Sequence, residues 1–406
     1  MSKESKLMNV REFGAVGDGS SDDSDAIQAV LNASEGIVEI PEGVYKIGKT
    51  LCIRSNTRLL VHPLAHLFFA DGAGVDSQSF LITNQNHDDG NYNIQVEGGI
   101  WDGNNLNNPR GPDEPGSYTG TLINFINVSD LSIKDLTVRD PECYFIRLGE
   151  VRNFVVANIR FEAPNLRHNQ DGVHLGGYCE DGVIRDLVGV GEATNDDLVA
   201  LNADDALQRT QNQNLKCGPI RNIRVENLKA ESCHSFVRLL SVRSPISNVS
   251  VENVEGGCRC MAVNLDGCRE CRVLLFDPFD PKYEDGVGDI SHVQIKNVQV
   301  HKSDANDATP LINVRTNARD LVVENFVRDK HKDVNPDAPT IYLSDCRASR
   351  LLFEGLEGEQ LASLPQCDGV ESVGVGGNGR NITTTQRAIF QLPNGGFTTL
   401  SINPTK

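Results

Sequence analysis

A short run of alternating apolar residues that reaches an Asn or Asp recurs along the chain. Its copies are "LSIKDL" from Leu131, "VVANIR" from Val155, "VIRDLV" from Val183, "IRVENL" from Ile223, "VSVENV" from Val249, "VQIKNV" from Val293 and "LVVENF" from Leu321. Successive copies lie about 20 to 40 residues apart, the spacing of a solenoid. Alternation with period two makes one face of each short strand apolar. Asn158, Asn227, Asn253, Asn297 and Asn325 fall where the chain must turn, and Asn tolerates the left-handed backbone region better than most residues with a side chain. Coils stacked ~4.8 Å apart bury a ladder of Val, Ile and Leu that no coil can bury alone, and they let the amides bond from rung to rung. The chain is therefore read as all-β: a single-stranded parallel β-helix forming one domain over residues 1–406.

A solenoid exposes its first coil unless something covers it. "SSDDSDAIQAVLNASEG" has the acidic start and the helical spacing of Ala26, Ile27, Val30 and Leu31 that a capping helix needs, with a stop at Gly36. Residues 9–36 are the expected N-terminal cap, with Asp22, Asp23 and Asp25 serving the helix start. A closing cap or tail is expected over about residues 370–406.

Thirty-seven Gly, seven Tyr and one Trp suit many short strands and tight turns. The net charge of -18 argues against nucleic acid as a partner, since phosphate binding needs clustered Lys and Arg. "MSKESKLMNVREFG" holds no apolar run of signal-peptide length and no later segment approaches a membrane span, so a cytoplasmic protein without membrane contact is expected. Eleven Cys, an odd number, fit a reducing compartment. In "CRCMAVNLDGCREC", Cys258, Cys260, Cys268 and Cys271 read as small buried thiols, with zinc as the alternative. No metal and no cofactor are expected.

The chemistry centres on "NDDLVALNADD", where Asp196 and Asp197, then Asp204 and Asp205, bracket a strand-like apolar run. Asp171 in "HNQDGVHL" lies 25 residues before Asp196, about one coil, so the two can project from one outer face on adjacent rungs. Crowded carboxylates hold at least one proton near neutral pH, which supplies the acid and the base that glycoside hydrolysis needs. Adjacent strand residues face opposite sides, so Asp196 and Asp197 reach one patch only if the backbone bends, and the preceding "GEAT" and Asn195 allow that. Calcium binding and plain turn chemistry are the other readings of the doublet. His234 and Arg238, four residues apart, are expected to bind substrate, and Asp204 to rim the cleft. Trp101, Tyr118 and Tyr178 are candidates for stacking on sugar rings, and the loop from Gly103 to Gly120 for the cleft wall.

These residues carry a resemblance. "VREFGAVGDGSSDDSDAIQAVLNA", "GGIWDGNN", "LINFINVSDLSIKDLTVRDPECYFIRLGEVRNFVVANIRF" and "NQDGVHL" followed by "NDDLVAL" resemble glycoside hydrolase family 28, the polygalacturonase and rhamnogalacturonase group of the pectin-lyase-like β-helices. The likeness covers most of residues 9 to 300. It implies a right-handed helix and hydrolysis with inversion, Asp196 acting as general acid while Asp171 and Asp197 activate water. Asn169 and His174, in the same motif, join the implied substrate-binding set. The family's Arg-x-Lys pair, which grips a galacturonate carboxylate, has no counterpart in "MAVNLD" or "VRLLS", so a different glycan or a short oligosaccharide is expected. A polysaccharide lyase using Arg238 or Arg243, and a glycan-binding solenoid without catalysis, are the competing readings.

Overall fold

The computed structural model describes residues 7–34, 36–267 and 287–343, together with the backbone strands Ala348–Glu354, Val373–Val375, Arg387–Gln391 and Phe397–Ser401. The chain divides into two compact units, Met1–Asp196 with Leu207–Lys216, and Asp197–Ala206 with Cys217–Lys406. Nearest-neighbour stacking makes subdivision of a solenoid natural, because each coil contacts only the coils beside it. Each unit has the expected fold, a right-handed parallel β-helix.

In the first unit a long sheet is built from Asn91–Glu97, Val128–Arg139, Arg152–Glu162 and Glu180–Gly189, all parallel. The register stacks like on like: Val96, Ile133, Val156 and Ile184 occupy successive rungs, and Leu136, Ile159 and Leu187 form a second row. These side chains are buried. A second sheet runs through Leu51–Ile53, Ile82–Asn84, Ile123–Ile126, Ile146–Gly149 and Val173–Leu175. The second unit repeats the plan with Ile220–Cys233, Ile246–Cys258, Ile290–Lys302 and Ala318–Arg328 in one sheet. Its other sheet runs from Asp197–Asn202 through Ser235–Leu240, Val263–Asp266 and Ile312–Arg315 to Ile341–Leu343. In the expected closing region Arg387–Gln391 pairs antiparallel with Phe397–Ser401.

The Asn positions hold as expected: Asn158, Asn227, Asn253, Asn297 and Asn325 all have φ between 53° and 60°. Asn253 donates to Asn227 Oδ1 at 2.9 Å, Asn297 to Asn253 at 3.3 Å and Asn325 to Asn297 at 3.1 Å. These residues do not end the strands. Pairing continues to Cys233 beyond Asn227, and a second left-handed position lies five residues earlier, at Asn222 and Asn248, whose amides bond at 3.0 Å. The cross-rung register skips these residues, passing from Arg221 and Ser247 directly to Ile223 and Val249. A left-handed residue turns its backbone groups out of the ladder, so the side-chain amide takes over the rung-to-rung bond and pairing resumes beyond it.

The capping helix spans Ser24–Ala33 and buries Ile27, Val30 and Leu31. Its acidic start works differently from the expectation. Asp23, at the cap position, turns its carboxylate back to the Val16 and Gly17 amides, at 2.6 and 3.1 Å. Asp22 instead accepts from the Ser24 amide and hydroxyl, at 3.0 and 2.5 Å. Burial tends to raise the Asp22 pKa, but these bonds and the Gly48 amide outweigh it and hold it low. Asp25 stays exposed and pairs with Lys49.

Two substitutions test the stacking. Replacing Asn253 with Gly keeps the left-handed φ but removes two amide bonds, whereas Ala also pays the steric cost of that φ. We expect Asn253→Ala to be the more destabilising by about 1 kcal/mol, measured as the difference in denaturant midpoint; equal effects would refute the backbone argument. A Cβ at Gly182 would lie 2.1 Å from Cζ of Phe154, its partner on the neighbouring rung. Gly182→Ala should cost about 1–3 kcal/mol by overpacking, and adding Phe154→Leu should restore part of it.

Candidate active site

The bend required at the acid doublet is present. Gly191 and Thr194 both have left-handed backbones, with φ of 60° and 58°, and Asn195 is tied down by its amide, which donates to the Arg167 carbonyl at 3.0 Å. Asp196 lies in this bend and Asp197 opens the strand Asp197–Asn202. The two neighbours therefore have different surroundings: Asp196 is half-buried and Asp197 is 1% exposed.

Within the first unit, Asn169 also adopts a left-handed φ, of 63°. Its amide nitrogen donates to Asp196 Oδ2 at 3.2 Å. Its carbonyl oxygen accepts from Arg110 Nη1 at 3.1 Å, so the Asn orientation is fixed at both ends. Asp171 is 3% exposed, and its Oδ2 stands 2.6 Å from His174 Nδ1. With Asp171 ionised, that ring nitrogen carries the proton. The imidazole stacks on Tyr144, centroids 4.0 Å apart, and the Tyr144 hydroxyl donates to Asn212 Oδ1 at 2.7 Å. His174 is wholly buried, which corrects the expectation that it binds substrate: packed under Tyr144, it orients the Asp171 carboxylate instead.

Within the second unit, Arg238 Nη1 stands 3.5 Å from Asp197 Oδ2, and Nη2 donates to Asp266 at 2.7 Å. The register puts Arg238 opposite Ala200 on one side and Asn264 on the other, so the guanidinium spans two rungs. A cation held between two carboxylates is an electrostatic partner of Asp197 first. His234 is half-buried at the corner between Ile220–Cys233 and Ser235–Leu240, with Nδ1 3.2 Å from the Ser235 hydroxyl.

The second acidic pair is structural. Asp204 Oδ2 accepts from the Val242, Arg243 and Ser244 amides at 2.8, 2.6 and 2.7 Å, and Oδ1 from the Ser244 hydroxyl at 2.8 Å. Buried and saturated by one tight turn, Asp204 does not rim a cleft, which corrects that expectation. Asp205 accepts from Asn202 at 2.9 Å.

Trp101 and Tyr118 are core residues, the indole N–H donating to the Gly98 carbonyl at 2.9 Å and Tyr118 packing against Phe69. Tyr178 is 44% exposed. The loop from Gly103 to Gly120 is stitched to residues 210–213: the Thr210 amide donates to Asp113 at 2.8 Å, and Gln213 bridges the Glu114 carbonyl and Gly116 amide, both at 2.7 Å. The Thr210 amide holds the Asp113 carboxylate below its ordinary pKa. Arg147, wholly buried, reaches the Gln211 and Gln213 carbonyls at 2.7 and 3.1 Å.

Cys258 and Cys260 are free thiols, Cys260 donating to Asp307 at 3.1 Å, and burial pushes both up to about 12. Cys268 and Cys271 lie outside the described residues. Among the described residues, no helix is long and apolar enough to cross a membrane.

Sequence reasoning missed Arg110, Tyr144 and Asp266. Asp266 stands in "MAVNLD", where a base was sought and an acid facing Arg238 is found. Its separation from Arg238 by 28 residues, one coil, was the available signal.

Comparison with known proteins agrees with the fold. The family model described as rhamnogalacturonase A/epimerase, pectate lyase-like, matches residues 7–259. A probable polygalacturonase of Arabidopsis thaliana is 25% identical over 271 residues, 62% of this chain and 56% of that protein. The plasmin and fibronectin-binding protein A of Streptococcus pneumoniae is 28% identical over 175 residues, 41% of this chain and 22% of that protein. The chain thus spans little more than half of the first relative and less than a quarter of the second. The family 28 exopolygalacturonase of Yersinia enterocolitica has the same fold, with a TM-score of 0.58 at 17% identity over 91% of this chain and 79% of that one. The matching family model covers more than half of this sequence, and the chain belongs to the rhamnogalacturonase A/epimerase, pectate lyase-like family.

Proposed function

We propose that the protein is a glycoside hydrolase that cleaves a glycosidic bond in an oligo- or polysaccharide with inversion of configuration. Asp196 delivers the proton to the leaving oxygen, and Asp171 and Asp197 hold and deprotonate the attacking water. The observation that carries this reading is the contrast between the adjacent carboxylates. Asp196 is half-buried and accepts a bond from a neutral amide, whereas Asp197 is buried beside a guanidinium. A cation favours the ionised carboxylate, which suits Asp197 to base chemistry, and paired acids in unequal environments divide into acid and base. Asp171 has its own fixed partner in His174, which holds the carboxylate in one orientation. His234 and Arg238 are proposed to bind sugar hydroxyls.

A lyase would need a basic group free to take the proton beside a uronate carboxyl. Arg238 is engaged by Asp197 and Asp266, which speaks against that role. A second reading, a β-helix that binds a partner without catalysis, draws on the likeness to the streptococcal plasmin and fibronectin-binding protein.

Asp196→Asn separates these readings. We expect glycan affinity to persist while kcat falls by about 10²- to 10⁴-fold, the usual loss when a general acid is removed. Proton NMR of the first product should show the inverted anomer; retention would exclude the two-carboxylate water mechanism, and unchanged turnover in Asp196→Asn would exclude Asp196 as the acid.

A further inference from the structure

Two columns of left-handed residues climb the long sheet of the second unit. Asn227, Asn253, Asn297 and Asn325 form one, an amide file bonded across every rung. The other starts five residues earlier and begins the same way, Asn248 donating to Asn222 Oδ1 at 3.0 Å. There the file stops. The equivalent places on the next two rungs are taken by His292 and Asp320, each with φ of 55°. An amide donates on one side and accepts on the other, so it hands the file on; an imidazole does not copy that shape. His292 Nε2 instead stands 3.5 Å from Asp320 Oδ2, with the His side chain 59% exposed, and exposed pairs of this kind contribute little. Among the described residues, the side-chain oxygen of Asn248, the Ser250 hydroxyl and the Gln294 amide make no hydrogen bond within the protein.

A groove of about 700 Å³ opens over these rungs, within the size range of ligand sites. Asn248, His292 and Asp320 line one side, and Ser250, Gln294 and Val322, register partners on successive strands, line the other. Three rungs give ~10 Å of groove along the stack. Amides, a hydroxyl, an imidazole and a carboxylate beside one aliphatic side chain match the hydroxyls and the C–H faces of a sugar. Among the described residues no Lys or Arg lines the groove, and Asp320 and the net charge of -18 disfavour an anionic ligand. An extended peptide finds no strand edge to pair with, since Ile290–Lys302 is flanked by Ile246–Cys258 and Ala318–Arg328. Asp197 and Arg238 belong to strands of the other sheet, so the strands lining the groove carry none of the proposed catalytic groups. We propose that this groove is a second carbohydrate site, which holds a neutral glycan chain without cleaving it. This rests on the carbohydrate reading of the protein and adds a place of attachment to it.

The test titrates the full chain by calorimetry in the Asp196→Asn background, so that turnover does not interfere. The probes are neutral oligosaccharides of galactan, arabinan, xylan and β-glucan, with oligogalacturonides and a mixed peptide library as the competing classes. We expect at least one neutral set to bind. His292→Asn, which offers the file an amide in place of the ring, should weaken that binding by about 10-fold, the equivalent of one or two hydrogen bonds. Gln294→Ala should weaken it in the same direction. Both positions are exposed, and an unchanged thermal midpoint in each variant checks that the fold is kept. No binding by any neutral set, affinity unchanged in either variant, or loss of oligogalacturonide or peptide binding instead of neutral sugar on His292→Asn would overturn the proposal. The hydrolase reading fails separately, if wild type and Asp196→Asn turn over the same sugar equally.

Discussion

The structure depends on one repeated compromise between backbone and side chain. In the long sheets a coil bends by placing a residue in the left-handed region, and that residue leaves the hydrogen-bond ladder. Asn and Asp make the departure tolerable, because a short polar side chain reaches the equivalent residue on the next rung. Asn253 between Asn227 and Asn297 shows this in the second unit, and Asn158 on Asp135 at 2.6 Å shows it in the first. Once corners fall at matching positions, the intervening Val, Ile and Leu have no register but the one that stacks like on like.

That regularity gives the irregular places their meaning. The strand Asp197–Asn202 is buried along its whole length, and charges at its ends must each be answered. Asp204 is answered by three backbone amides of one turn, a closed arrangement with no capacity left for a ligand. Asp197 is answered by a guanidinium and Asp171 by an imidazole, side-chain partners that fix a carboxylate's position. Asp204 and Asp197, which look alike as text, thus differ in kind, because Asp204 is held by backbone amides and Asp197 by a side-chain cation.

The coil repeat, the turn residues and the helical cap were legible because each has a local cause: alternation, tolerance of positive φ, and spacing of apolar residues. Asp171, Asp196 and Asp197 were singled out by the ordered motifs, and their roles are those proposed above. The assignments of Asp204 and His174 were not, since an acid in a loop and a His in a motif read the same whether they face solvent or a buried turn. Arg110 was invisible for a related reason. Its partners Cys143, Asn169 and Gln211 are scattered along the chain, and no pattern within a coil links them. The internal order of the cap was also hidden, since "DDSD" does not say which carboxylate turns forward to Ser24 and which turns back to Val16.

The bend formed by Gly191 and Thr194 fixes the phase of everything after it. Side chains on a strand alternate like ties along a track, and whichever acid opens the strand determines the sidedness of every residue to Asn202. Because both faces of the strand are buried, one residue gained or lost between Gly191 and Asn195 would exchange the side chains that each face has to pack. Length at this point is therefore as tightly constrained as chemistry, and variation among related chains should appear there as exchanged letters in a stretch of constant span.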